Sequence, residues 1–347
     1  MRLLTVLFLI GFSTLLQGQI FPGIFGESLR EELQSAFTPS QVLTSSQCKD
    51  TLYAVVENEG GVVECLYSGF IGELDENEDP SQFLFNQNIN QEHVFPRAFG
   101  VNNTPAEFDM HHLFPTRADV NQDRGNLSFG DIEDALTQKW YYLEGTQTSI
   151  PNEDIEAYSE YRANVHFEPR ESKKGDVARA VFYVHTIYYD LVDQDFFNAQ
   201  LGQLIQWHFD DPVDEKEAER SARIATYQSG KENPFVLDCT LAFRLYLEAS
   251  GSNCQDFTSV DKGSNENEAE ILILNNGGDS PSLQVFNPGS DALEVWVFDL
   301  GGVVRIQTQL LGEGQELNFA GLNPGVYTIV VRQAENGFFQ VKKLIKS

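Results

Sequence analysis

The chain has 347 residues and a formal net charge of −29, so it is long enough for a sizeable core and two domains. Acidity of that size excludes the basic stripe by which tight, processive or sequence-specific binders grip nucleic acid. It keeps an exported protein soluble, and it leaves open phosphate chemistry in which a bound dication supplies the local positive charge.

Met1-Arg2 leads into the apolar run from Leu3 to Phe12, and Gly18 precedes Gln19. One positive charge, a short apolar run and a small residue predict a secretory signal peptide over 1–18. The run is too short for a membrane span, no later segment reaches the ~20 residues a span needs, and no cysteine follows it to carry a lipid anchor. Residues 27–37 read as an opening helix, 62–69 as a strand and 75–80 as an acidic, solvated loop. The four cysteines, Cys48, Cys65, Cys239 and Cys254, allow three disulfide connectivities in an oxidising compartment. Local pairing, Cys48 with Cys65 and Cys239 with Cys254, is the preferred expectation; none has zinc-ligand spacing.

The densest chemistry lies in 89–130, which holds His93, His111 and His112. Glu92-His93 closes a short β-like run, and His111-His112-Leu113-Phe114-Pro115 reads as a second extended segment. Thr116 is a plausible cap for a helix over 117–124, which Gly125 ends. The unit is therefore strand, irregular connection, strand, helix, a layout that can bring His93 and Asn121 to one small ion. Strand alternation sends Glu92 and His93 to opposite faces, so both reach one ion only at a bulge or strand end. A histidine suits general-base work because its ordinary pKa lies near neutrality, and Glu and Asn oxygens are hard ligands that suit Mg²⁺ better than zinc.

From residue 175 the periodicity turns helical. Val177, Val181, Val184, Tyr188 and Leu191 form one stripe, with Arg179 off it; Phe197, Leu201, Leu204 and His208 form a second, ended by Asp210-Asp211-Pro212. His166, His185 and His208 read as satisfied structural histidines. A charged helix over 214–228, with Arg220 and Arg223, and a last helix over 236–249 follow. Residues 250–280 are rich in Gly, Ser and Asn and read as a linker. Beyond them, strands at 283–286, 292–298, 303–308, 326–331 and 339–345 suggest a small antiparallel β-sandwich over 281–347.

The segments Glu92-His93-Val94-Phe95-Pro96, Asp109-Met110-His111-His112-Leu113-Phe114-Pro115 and Val120-Asn121-Gln122-Asp123-Arg124-Gly125-Asn126 together resemble the bacterial endonuclease I family of ββα-metal (His-Me finger) secreted nucleases. Lys174 to Tyr183, Ala222-Arg223-Ile224 and Asn233-Pro234-Phe235 extend the likeness, which spans roughly 40–240. The resemblance implies an α+β fold: a His-Me finger domain over 19–249, mostly helical around a small sheet. It implies His93 as the base that activates water, and Glu92 and Asn121 as ligands of one Mg²⁺, with Mn²⁺ or Ca²⁺ as substitutes. The position nine before the helix asparagine, here His112, would orient His93. Arg117, Arg124 and Arg179 are the phosphate-clamp candidates, because a guanidinium fork matches phosphate oxygens.

The tail, through Val285-Phe286-Asn287-Pro288, Val297 to Val304, Leu322 to Tyr327 and Lys342-Lys343-Leu344-Ile345, resembles the C-terminal sorting domain of type IX secretion, which implies that machinery as a partner. The expected protein is a secreted monomer cutting DNA, RNA or both with broad sequence tolerance, since no helix-turn-helix, zinc finger or stacking sheet is visible. The rival readings are a non-catalytic adhesive protein on the same fold, and a zinc hydrolase built on His93, His111 and His112.

Overall fold

The computed structural model describes residues 19–247 and, further on, 270–274, 282–286, 292–299, 304–311, 316–333 and 339–346. The signal peptide expected over 1–18, most of the linker and Cys254 lie outside the described residues. Among the described residues no helix is long and apolar enough to cross a membrane.

The helix Lys174–Ile187 runs through the middle of the domain formed by residues 19–247, and every one of its residues is buried. The apolar stripe read from the sequence is thus one side of a helix covered all round. Around it pack the helices Gly26–Phe37, Leu201–Asp210 and Leu241–Tyr246 and the turn Met110–His112. Gly175 lets this bundle close: a Cβ there would stand 1.9 Å from the Asp211 carbonyl oxygen. Its N–H donates to the Asp211 carboxylate at 2.8 Å. Arg179 lies in the same helix, its guanidinium paired with Glu217 at 2.6 Å and donating to the Asp211 carbonyl at 2.9 Å.

Several expectations need correction. The helix expected over 236–249 is broken into Pro234–Leu237 and Leu241–Tyr246. At the break, the Asp238 carboxylate accepts from Thr240 N and Oγ1 and from Arg244, a side-chain alternative to helical pairing. The strand expected over 62–69 is only Val62–Glu64, in a hairpin with Ile71–Glu73. A five-stranded sheet escaped the sequence reading altogether. It orders Ser128–Phe129, His166–Glu168, Ser159–Arg162, Lys139–Tyr142 and Gly145–Gln147 side by side. Its strands of two to four residues are too short to show an alternating pattern. Cys48 and Cys65 are free and buried: the Cys48 thiol donates to the Phe108 carbonyl at 3.5 Å and lies 3.8 Å from Gln91 Nε2. Burial pushes the Cys48 thiol up to about 12.

The C-terminal residues form two antiparallel sheets. One orders Val304–Leu311, Ala292–Asp299, Gly325–Gln333 and Phe339–Lys346; the other orders Glu270–Leu274, Ser282–Phe286 and Glu316–Asn318. Period-two alternation gives the four-stranded sheet two apolar faces. Val295, Val297, Ile329 and Val331 pack on Phe319, whereas Trp296, Phe298 and Val330 join the core of the domain formed by residues 19–247.

Candidate active site

Ile89–His93 and Leu113–Arg117 pair antiparallel, with Glu92 opposite Phe114 and His93 opposite Leu113. The helix Ala118–Arg124 follows the second strand directly. Thr116, the expected cap, sits buried on that strand, and Arg117 stands at the cap position without a side-chain bond to the helix backbone. Gly125, at φ +52°, ends the helix, its N–H donating to the Asn121 carbonyl at 2.9 Å. The helix folds back on the first strand through two side chains. Asn121 Nδ2 donates to Asn90 Oδ1 at 2.7 Å and to the Gln91 carbonyl at 3.2 Å. Arg124 donates to the carbonyls of His93 at 2.8 Å and Val94 at 2.5 Å. His93 is the last residue of its strand, the strand end that the sequence required.

Glu92, His93 and Asn121 line one cleft of about 390 Å³ with Ser45, Lys49, Asn90, Gln91, Pro96, Arg97, Glu107, Phe108 and Asn126. The structure therefore brings Glu92, His93 and Asn121 to one opening. Buried Glu92 uses Oε1 to accept from Tyr67 Oη at 2.6 Å and to pair with Arg124 at 2.9 Å. Its other oxygen, Oε2, has no protein partner among the described residues. The same holds for Asn121 Oδ1, because the amide turns its nitrogen to the strand. Two hard oxygens, one anionic and one neutral, are thus available in the cleft, a donor set that fits Mg²⁺ with most of its coordination left to water and substrate.

His93 Nε2 lies 3.0 Å from the Glu107 carbonyl oxygen. A carbonyl only accepts, so Nε2 carries the proton and Nδ1 keeps its lone pair. Burial pushes the His93 pKa down to about 3; the neighbouring His112 ring, Arg97 and Arg124 act in the same direction, and the Glu107 bond opposes them. His112 is fully buried, its ring edge-on to His93 with centroids 5.6 Å apart. It does not bond to His93. Its Nε2 donates to the Ala106 carbonyl at 2.7 Å, and so it holds the Pro105–Phe108 turn that presents the Glu107 carbonyl to His93. Burial pushes His112 down to about 4, and its Nδ1 has no partner.

Asp109 steadies the same connection. Its Oδ2 accepts from Tyr183 and Tyr188 at 2.8 and 2.7 Å, and its Oδ1 from Gln228 at 2.8 Å. His111 faces away from the cleft, with Nε2 donating to the Lys231 carbonyl at 2.9 Å. Three histidine rings sent to three different carbonyls do not make a zinc centre. Among the described residues no group of three or more His, Cys, Asp or Glu side chains could hold a metal.

The three arginines expected to clamp phosphate do not line the cleft. All are buried. Arg117 donates to the carbonyls of Leu143 and Gly145, each at 2.8 Å, and to Asp119 and Thr146. Arg124 braces the strand end and lies over the Phe129 ring, and Arg179 is locked to Glu217. A guanidinium held by acceptors inside the fold has a structural task, and apart from Asp119 the hydrogen-bond and ion-pair partners are 26 to 38 residues away in sequence. The cations at the cleft are instead Lys49 and Arg97, which the sequence reading passed over. Arg97 stands one residue past the Glu92-to-Pro96 motif, a signal that was available; nothing local distinguishes Lys49.

A strand, a looped connection, a second strand and a helix enclose a histidine, a carboxylate and an amide in one cleft, and the similarities to known proteins make the chain a nuclease. The Endonuclease I family profile matches residues 28–239, and the chain belongs to that family. It is 28% identical over 236 residues to an extracellular ribonuclease of Bacillus subtilis (strain 168), covering 62% of this chain and 72% of that protein. An extracellular ribonuclease of Bacillus amyloliquefaciens is 30% identical over 162 residues, 42% of this chain and 50% of that one. An extracellular deoxyribonuclease of Aeromonas hydrophila is 31% identical over 137 residues, 38% and 49% respectively.

Proposed function

We propose that this nuclease is an exported, Mg²⁺-dependent endonuclease that hydrolyses phosphodiester bonds of DNA, RNA or both without strict sequence preference, on a His-Me finger. One observation carries the reading: among the described residues His93 Nδ1, Glu92 Oε2 and Asn121 Oδ1 all lack protein partners while their side chains line the same cleft. His93 is neutral at physiological pH, with Nε2–H fixed on the Glu107 carbonyl, so Nδ1 takes the proton of the attacking water. Arg124 and Tyr67 hold the Glu92 side chain facing the cleft, and His112 keeps the Glu107 carbonyl in place. Glu92 and Asn121 would hold the Mg²⁺, which supplies positive charge to the phosphoryl oxygens and to the leaving oxygen.

Export is supported by the charge pattern of 1–18 and by the relatives named extracellular. A sorting role for the tail, by way of type IX secretion, is supported by its motifs and its two antiparallel sheets. A Cys239–Cys254 bridge closing the nuclease domain belongs to the same reading. Neither rival reading gains an observation of its own.

The test is cleavage of supercoiled plasmid and of structured RNA by the purified protein. Cleavage with Mg²⁺, stopped by EDTA and not restored by Zn²⁺, is expected. Cleavage that persists in EDTA overturns the metal-dependent reading.

A further inference from the structure

We propose that Lys49 and Arg97 form the phosphate-seating rim of the cleft, contacting the nucleic-acid backbone on either side of the scissile bond. The proposal rests on the nuclease reading above and names how an acidic chain holds a polyanion. Between residues 19 and 247 nearly every lysine and arginine is cancelled by a carboxylate or consumed by backbone carbonyls. Among the described residues of that span, only Lys49 and Arg162 have neither an ion pair nor a side-chain hydrogen bond. Lys49 is exposed and lines the cleft; Arg162 does not line it.

Arg97 also lines the cleft, four residues beyond His93 in sequence, and is 53% exposed. Only its Nη2 is engaged, with Glu107 and Asn102 at 2.6 Å each. Nε and Nη1 have no protein partner, and the ion pair holds them in a fixed direction. A guanidinium braced at one nitrogen with two donors open is suited to a phosphate, whereas the ammonium acts as a point charge. Carboxylates are near, but Glu92 is matched by Arg124 and Glu107 by Arg97. The charge left over at this opening is the lysine's.

The experiment measures binding of a short fluorescein-labelled DNA duplex across a salt series, in a His93→Ala background so that the probe survives, and cleavage of the same duplex with His93 intact. Lys49→Gln is expected to weaken binding and to reduce the slope of log K against log salt by about 0.9, one phosphate contact. Lys49→Arg should restore the slope, and KM should rise with kcat little changed. Arg97→Gln should give a comparable loss of slope, with Arg97→Lys retaining part of it. Arg162→Gln, an unpaired cation off the cleft, should change nothing. Lys49 is exposed and has no partner among the described residues, so its loss does not threaten folding. A parent that cleaves normally while Lys49→Gln keeps the parental slope and KM overturns the rim alone. A parent that neither binds nor cleaves overturns the nuclease site and the rim with it.

Discussion

The Glu107 carbonyl and His93 Nε2 stand 3.0 Å apart, and this single bond decides which nitrogen of the histidine faces the cleft. It leaves Nδ1 as the acceptor. Burial then keeps the ring neutral far below its ordinary range, because the desolvated imidazolium is disfavoured.

The first prediction concerns pH and rate. The base form of His93 persists until pH falls to about 3, so kcat/KM should show no ascending limb at the ordinary histidine value of 6.5. From about pH 5 to about pH 7 the profile should be flat with respect to this group. Initial rates on a labelled oligonucleotide at fixed free Mg²⁺ measure it. A tenfold-per-unit rise centred on 6.5 would show that the ring is solvated and titrates normally.

A second prediction separates bracing from phosphate binding. Arg124 pairs with buried Glu92 and holds two carbonyls of the strand end. Arg124→Leu strands a buried carboxylate and should lower stability by about 3–5 kcal/mol in urea unfolding. A variant that unfolds like the parent but shows a raised KM would return Arg124 to the phosphate-binding role.

Stability against pH follows from buried groups of both kinds. Burial raises Glu160 to about 8 and Glu168 to about 7. The folded state keeps protons that the unfolded carboxyls release near 4.5. This contribution is full at low pH and is lost as pH rises through 7 and 8. His93, His185 and His208 are lowered to about 3 and His112 to about 4. Their contribution is present above the unfolded 6.5 and is lost as pH falls below it. The Tm should therefore peak near pH 6.5 and decline on both sides. A Tm that climbs steadily through pH 8 would contradict the assignment of Glu160 and Glu168 as protonated in the folded state.

The unit of strand, connection, strand and helix was legible because its information is local. A histidine at a strand end, an asparagine on the next helix and a terminating glycine lie within about forty residues, and the strand, connection, strand and helix stand in that order. What escaped depends on contacts between distant segments. An arginine looks the same in sequence whether it faces solvent or, like Arg179, meets a glutamate 38 residues away. Cys48 and Cys65 are near in sequence, yet pairing is decided by where their thiols point, and Cys48 points at the Phe108 carbonyl. The sheet built on Ser159–Arg162 has strands too short for periodicity to register. Lys49 is set apart by lacking a partner at the cleft among the described residues, a property that exists once nearly every other cation has found its own.

Single-turnover cleavage of a labelled duplex by His93→Ala, beside the parent at saturating Mg²⁺, tests the central claim most directly. With duplex binding unchanged, the rate should fall by ~10²–10⁴. A variant that cuts within a few-fold of the parent would show that another group takes the water's proton, and the role assigned to His93 would be wrong.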